Sequence, residues 1–168
     1  MSVTSITEIR QYLTFKLGGE VFAIDVAKVR EVLDLTAITR IPQTPEFMRG
    51  VINLRGSVVP VADLRLCFGM DRGEDTQNSC IIVVEVKLEQ DTAVIGALAD
   101  SVEEVLDLEP DQIEPAPRIG TQIRTEFIRG MGKRDAQFII ILDIDRVFSE
   151  DQFEQMQGVG TAEEAAVS

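Results

Sequence analysis

The first clear pattern along the chain is an alternation. Leu13, Phe15 and Leu17 are separated by Thr14 and Lys16. A period of two sets one side of the segment against a core and predicts a β-strand. Gly18-Gly19 follows, then the apolar run Val21-Phe22-Ala23-Ile24. Two apolar runs joined by two residues free to take positive φ predict a β-hairpin. Asp25 then stands where an N-cap would, ahead of a short helix carried by Val26 and Val29. Val32, Leu33 and Leu35 lead on to a loop bracketed by Pro42 and Pro45.

A second hairpin is predicted over Val51-Ile-Asn-Leu54 and Ser57-Val-Val-Pro-Val61, with its turn at Arg55-Gly56. Pro60 donates no ladder hydrogen bond, so it is expected at an edge or a bulge. The polar stretch 69–79 reads as a surface loop. Ile81–Val86 and Ala93–Ala99 form another strand pair, and Val102, Val105 and Leu106 repeat the short-helix pattern. Pro110, Pro115 and Pro117 mark an irregular loop. A last strand, Phe138–Leu142, leads into a C-terminal helix from about Asp143 to Gln157. Many short strands separated by turn signals predict a mostly β fold built as small barrels or a sandwich.

The pattern also repeats. Val21–Leu35 (VFAIDVAKVREVLDL) aligns without a gap on Val94–Leu108 (VIGALADSVEEVLDL) at an offset of 73, with seven identities that include Val29/Val102, Glu31/Glu104 and Val32/Val105. Pro42 then falls on Pro115. Beyond that loop the offset becomes 80: Phe47-Met-Arg-Gly50 falls on Phe127-Ile-Arg-Gly130, Asp63 on Asp143 and Phe68 on Phe148. Two collinear runs predict a duplicated module. Each copy is too small for a comfortable core of its own, so the copies are expected to pack on each other and leave a groove between them. The repeat units run over about 11–70 and 80–150, with strands open to exchange between them. They lie within one domain over 10–157, flanked by an N-terminal tail, 1–9, and a disordered C-terminal tail, 158–168.

Composition narrows the chemistry. The 168 residues include no histidine, no tryptophan and two cysteines, and carry a net charge of −13. No Ser-His-Asp or Cys-His pair is possible, and two cysteines cannot supply a four-ligand zinc site of the usual kind. Neither a metal nor a cofactor is expected. Such an acidic surface repels phosphate backbones, which argues against nucleic acid as a partner. No apolar run reaches the ~18 residues that span a bilayer, and the N-terminus lacks the basic and apolar regions of a signal peptide. The expected location is the cytoplasm, with Cys67 and Cys80 reduced and acting as small buried hydrophobes. Asp63 and Asp143 invite a paired-carboxylate enzyme in the groove. As repeat mates at strand-to-helix transitions they read more simply as N-caps.

The segment Arg40-Ile-Pro42, then Pro45-Glu-Phe-Met-Arg-Gly-Val-Ile-Asn-Leu-Arg-Gly-Ser-Val-Val-Pro-Val-Ala-Asp-Leu-Arg65, resembles the central signature of the CheW family of bacterial chemotaxis adaptors. Asp111–Pro117 and Ile139–Ile144 also resemble the family, and the likeness covers roughly residues 10–155. It implies two SH3-like five-stranded β-barrels joined through a hydrophobic core. It also implies a non-catalytic adaptor that couples the cytoplasmic tip of methyl-accepting chemoreceptors to the regulatory domain of the histidine kinase CheA. Rings with other CheW-like domains follow, with recruitment to membrane-associated receptor arrays but no insertion into the membrane. An adaptor of another chemosensory-type pathway, such as pilus motility or biofilm control, is the alternative.

The resemblance also implies residue roles. Arg55 couples to the kinase, against a plain reading as a solvated turn residue, and Asn53 does so more weakly, because it also serves to order the turn. By periodicity alone, Val26, Val29 and Val32 are a core stripe. The resemblance instead lines the inter-barrel groove with them and Leu13, ready for the receptor's helical hairpin. Glu31 is a polar contact at the groove rim, and Val102 and Val105 complete the wall. Gly50 belongs to the receptor-coupling region, or simply meets a backbone need for room or positive φ.

Overall fold

The computed structural model describes residues 10–70, 73, 75–88, 91–115, 127–134 and 137–148. Both expected tails, Pro117 and the expected helix beyond Phe148 lie outside these residues. The strands are β1 (Arg10–Leu17), β2 (Glu20–Asp25), β3 (Val29–Asp34), β4 (Met48–Leu54), β5 (Ser57–Asp63), β6 (Cys80–Lys87), β7 (Thr92–Ala99), β8 (Ser101–Leu108), β9 (Ile113–Glu114), β10 (Ile128–Arg134) and β11 (Gln137–Leu142). Two single-turn helices follow β5 and β11: α1 (Leu64–Cys67) and α2 (Ile144–Val147).

The predicted hairpins form where expected. β1 and β2 turn through Gly18 and Gly19, at φ 59° and 90°. β4 and β5 turn through Arg55 and Gly56, at φ 52° and 87°. The helix expected through Val26 and Val29 shrinks to one 3-10 turn, Val26–Lys28, capped as predicted by Asp25, whose carboxylate accepts from the Ala27 N–H at 2.9 Å. Val29 already belongs to β3. The expected helix at Val102, Val105 and Leu106 is instead strand β8. There the three-residue spacing comes from a bulge on β8: Val102 and Val105, three residues apart, stand opposite Phe15 and Leu13 of β1, two apart. One extra residue at a bulge shifts a strand's parity and imitates a helical period.

Pro60 is a second correction, because β5 lies inside its sheet. Val51, its partner on β4, exchanges both backbone hydrogen bonds with Thr39, each at 2.8 Å. Pro60 therefore owes β4 no N–H, and the ladder to β7 begins one residue later at Val61.

One sheet has the order β8-β1-β2-β11-β10-β9, the other β3-β6-β7-β5-β4. The offset of 73 carries β2 and β3 onto β7 and β8, and 80 carries β4, β5 and α1 onto β10, β11 and α2. Matching the hairpin registers carries β1 onto β6 at 69. Under these shifts the second order becomes the first, with β9 added. Each sheet therefore draws strands from both copies: β1 pairs with β8, β3 with β6, and β2 and β5 pair in parallel with β11 and β7. The Thr39–Val51 bridge closes one barrel and the β9–β10 pair the other.

Three cores result. Ile52, Val59, Val61, Ile81, Val83 and Leu98 fill the barrel of the five-stranded sheet. Tyr12, Ala23, Leu106, Leu108, Ile139 and Ile141 fill the other. The largest cluster lies between the barrels and includes a run of rings, Phe15 to Phe22 to Phe68 to Phe127, with centroids 5.9, 5.9 and 6.2 Å apart. Phe68 and Phe127 come from different copies, so neither copy holds this core alone. Cys80 is buried and Cys67 packs on the shared core, where burial first and the Asp63 charge second push its thiol up to about 12.

Candidate functional site

The β4–β5 hairpin presents Arg55 at its tip. Positive φ at both central residues marks the mirror-image turn that matches strand twist. Asn53 secures it by accepting the Gly56 N–H at 2.8 Å. The Arg55 side chain, 73 % exposed, reaches across the barrel mouth to Glu31 on β3. Its two terminal nitrogens donate to the two carboxylate oxygens at 2.7 and 2.9 Å, a two-pronged pair of fixed orientation. These hydrogen bonds, more than the charge itself, hold the Glu31 carboxyl below its usual range and raise Arg55. A shallow depression beside the pair is lined by Arg30, Leu54, Val58 and Val83.

The expected groove set divides. Leu13 lies inside the shared core, and Val26, Val29 and Val102 pack half-buried against it. Val32 and Val105 are 42 % and 51 % exposed. Val32 stands opposite Ile82 and Val105 opposite Leu13, both members of the shared core. Directly opposed residues share a face of the sheet, so both valines stand on the rim of the inter-barrel core. They sit on β3 and β8, the terminal strands of the two sheet orders. Glu31 does not join them. It stands opposite Val83, on the barrel-interior face, where it meets Arg55.

Gly50 lies apart from both groups. It is buried at φ 144°, and a Cβ there would sit 2.1 Å from the Thr39 carbonyl oxygen that closes the barrel. Its need for room and for positive φ is thus met in the backbone. Asp63 caps α1 by accepting the Arg65 N–H at 3.0 Å. Asp143 occupies the same place before α2, where its carbonyl accepts from Arg146 and Val147. Both sit where N-caps are expected.

Sequence reasoning missed Val58 and Phe138, 73 % and 49 % exposed. They are mates at the offset of 80, each beside the tip of its hairpin. The signal was present: Val58-Val59 and Phe138-Ile139 are adjacent apolar pairs, and in a strand one of two neighbours must face outward.

The mate of the first barrel mouth is a depression lined by Thr14, Lys16, Glu103, Glu104, Gln137 and Ile139. Among the described residues no helix is long and apolar enough to cross a membrane. Residues 11–152 match the CheW-like domain family. The chain belongs to that family. The chemotaxis protein CheW of Klebsiella aerogenes is 35 % identical over 150 residues, spanning 89 % of this chain and 88 % of that protein. The probable chemotaxis protein CheW of Rhizobium etli is 34 % identical over 86 % and 91 % of the two chains. Among solved structures, the scaffolding protein TtCheW from Thermoanaerobacter tengcongensis superposes with a TM-score of 0.75 at 34 % identity, covering 90 % of this chain and 95 % of that one. Membership of the CheW-like family makes this chain a non-catalytic scaffold of chemotaxis signalling.

Proposed function

We propose that this CheW-like scaffold bridges the cytoplasmic tip of methyl-accepting chemoreceptors to the regulatory domain of a CheA-type histidine kinase, and joins other CheW-like domains in rings. It works in the cytoplasm and is drawn to membrane-associated arrays by its receptor partner. The observation that carries the kinase face is the exposed Arg55–Glu31 pair, held on a rigid turn beside exposed Val58. A fork fixed in this way loses little side-chain freedom on binding, and a neighbouring apolar residue supplies the contact area. The receptor face is the rim of Val32 and Val105, over a core that includes Leu13 and is flanked by Val26, Val29 and Val102. A helical hairpin laid there meets apolar anchors on a packed floor.

Calorimetric titration of the full chain with a receptor-tip fragment and with the kinase regulatory domain tests this reading. Two independent binding events are expected, the kinase one sensitive to Arg55→Ala and the receptor one to Val105→Asp. Failure of the folded protein to bind either partner overturns it.

A further inference from the structure

The ion pairs that join the two copies follow one rule. Arg30 on β3 meets Glu85 on β6 at 3.3 Å, and Lys16 on β1 meets Glu103 on β8 at 3.3 Å. Arg65 on α1 pairs with Asp100, in the turn between β7 and β8. Lys28, in the turn between β2 and β3, meets Asp145 on α2 at 2.8 Å. These four pairs between the copies lie among the described residues. In every one the cation comes from the first copy and the anion from the second. The pairs within a copy, such as Arg55–Glu31 and Arg146–Asp143, follow no such rule. Composition agrees: residues 11–70 hold seven Lys/Arg and six Asp/Glu, whereas 80–150 hold seven and fifteen.

The copies are related by sequence offsets, so each of these contacts has a mate with its signs reversed. Lys16 corresponds to Glu85 and Arg30 to Glu103. Arg65 corresponds to Asp145, and the turn at Lys28 to the turn at Asp100. Two first copies meeting through these surfaces would set Arg30 against Lys16 and Arg65 beside Lys28. Two second copies would set Glu103 against Glu85 and Asp145 beside Asp100. Like charges directly opposed across strands are destabilising. The exposed pairs Arg30–Glu85 and Lys16–Glu103 contribute little alone, but with the two part-buried pairs they act together on a choice between surfaces of one backbone shape, where small differences decide.

We propose that this sorting of charge directs assembly: the exchange surface of each copy accepts the unlike copy and rejects its like, in a single chain and between two chains. Shared strands make the choice necessary. β3 and β8 complete barrels begun by the other copy, so a folding chain exposes two similar unpaired edges that a neighbouring chain can capture.

The proposal is tested in the full chain by swapping one pair. Arg30→Glu with Glu85→Arg keeps all four native attractions, yet the new carboxylate at position 30 attracts Lys16 and the new guanidinium at position 85 attracts Glu103. Refolding from urea at rising protein concentration is followed by light scattering on a sizing column. The swapped protein is expected to trap on the order of tenfold more dimer than wild type. Adding Lys16→Glu and Glu103→Lys reverses both strand pairs, restores sorting between the strands and should return the yield to that of wild type. Wild type refolded in about 1 M salt, where the Debye length is about 3 Å, should resemble the swapped protein. Equal dimer yield in wild type and the swapped protein overturns the proposal, as does dimer that persists in the four-residue variant. If the first swap fails to fold, Lys16→Glu with Glu103→Lys alone makes the same change in the other sheet and is read in its place.

Discussion

The two barrel mouths share a backbone and differ in chemistry. At the first, Glu31 on β3 is clasped by Arg55 from the hairpin tip. At the second, the matching glutamate, Glu104, has its backbone N–H and carbonyl bound by the buried hydroxyl of Thr14, at 3.1 and 2.8 Å. The position matching Arg55 is Asp135, so the residue that clasps Glu31 has an acidic mate. Arg30 beside the first mouth corresponds to Glu103 beside the second. Duplication therefore preserved strand order and bulges, which packing enforces, while the tips and mouths, which only water and partners touch, were free to diverge. A scaffold gains from this: one fold presents two similar surfaces to different partners.

The largest way to break the comparison is at the matched glycines. Gly50→Ala forces a Cβ to 2.1 Å from the Thr39 oxygen at a left-handed φ of 144°. It is expected to destabilise by about 3 kcal/mol or more. In Gly130→Ala the Cβ meets the Ile113 side chain at 2.6 Å and the Glu114 oxygen at 3.1 Å, and a side chain can give way. That change should cost about 1–2 kcal/mol. Urea unfolding of both variants measures the difference, and equal losses would refute it. The next effect is at the tips. Arg55→Ala should weaken kinase-domain binding about thirtyfold, roughly 2 kcal/mol, and leave stability within about 0.5 kcal/mol, since its ion pair is exposed. Glu104→Ala, at the other mouth, should leave kinase binding unchanged within about twofold. Calorimetric titration of the two variants decides.

Much of this was legible before the fold was known, for a physical reason. Turns need particular residues, so Gly18-Gly19 and Arg55-Gly56 announced both hairpins, and Asp25 and Asp63 announced their caps. The duplication was legible because shared packing preserves residues such as Val29/Val102 and Phe68/Phe148. Strand β10 had no clear alternation of its own, yet the offset of 80 already carried β4 onto Ile128–Arg134. Bulges were not legible: the extra residue near Val29 and at Val102–Val105 imitates a helical period. Nor was the meeting of Arg55 with Glu31, because it depends on β3 and the β4–β5 hairpin flanking one barrel mouth, a long-range fact that no local pattern carries.

The rim residues give a smaller effect. Val32 and Val105 are mates, each half-exposed over the shared core. A charge at either one removes an apolar anchor and forces a carboxylate to be desolvated in the complex. Val105→Asp and Val32→Asp should each lower receptor-tip affinity about tenfold. Both should shift the urea midpoint only slightly, because each valine already faces water. If only one of the two changes receptor binding, the rim is used on one side, and the two mates have diverged as the mouths have.

The smallest effect concerns the turn where the chain crosses from one sheet to the other. Asp100 accepts from the Arg65 Nε at 2.8 Å and from the Gly18 N–H at 2.8 Å. Burial alone would raise its carboxyl, but these hydrogen bonds outweigh burial and hold it below the usual range. A carboxyl with a lowered folded pKa contributes stability that is fully present above the unfolded value of about 3.9. That contribution is lost as pH falls through the folded value. Asp100→Asn should therefore be less stable than wild type at pH 7, and the gap should narrow as pH falls below about 4 and close once the folded carboxyl is protonated. Urea midpoints across that range measure it. A gap that stays constant with pH would mean that the asparagine loses packing or geometry rather than charge, and that the crossover is held by shape alone.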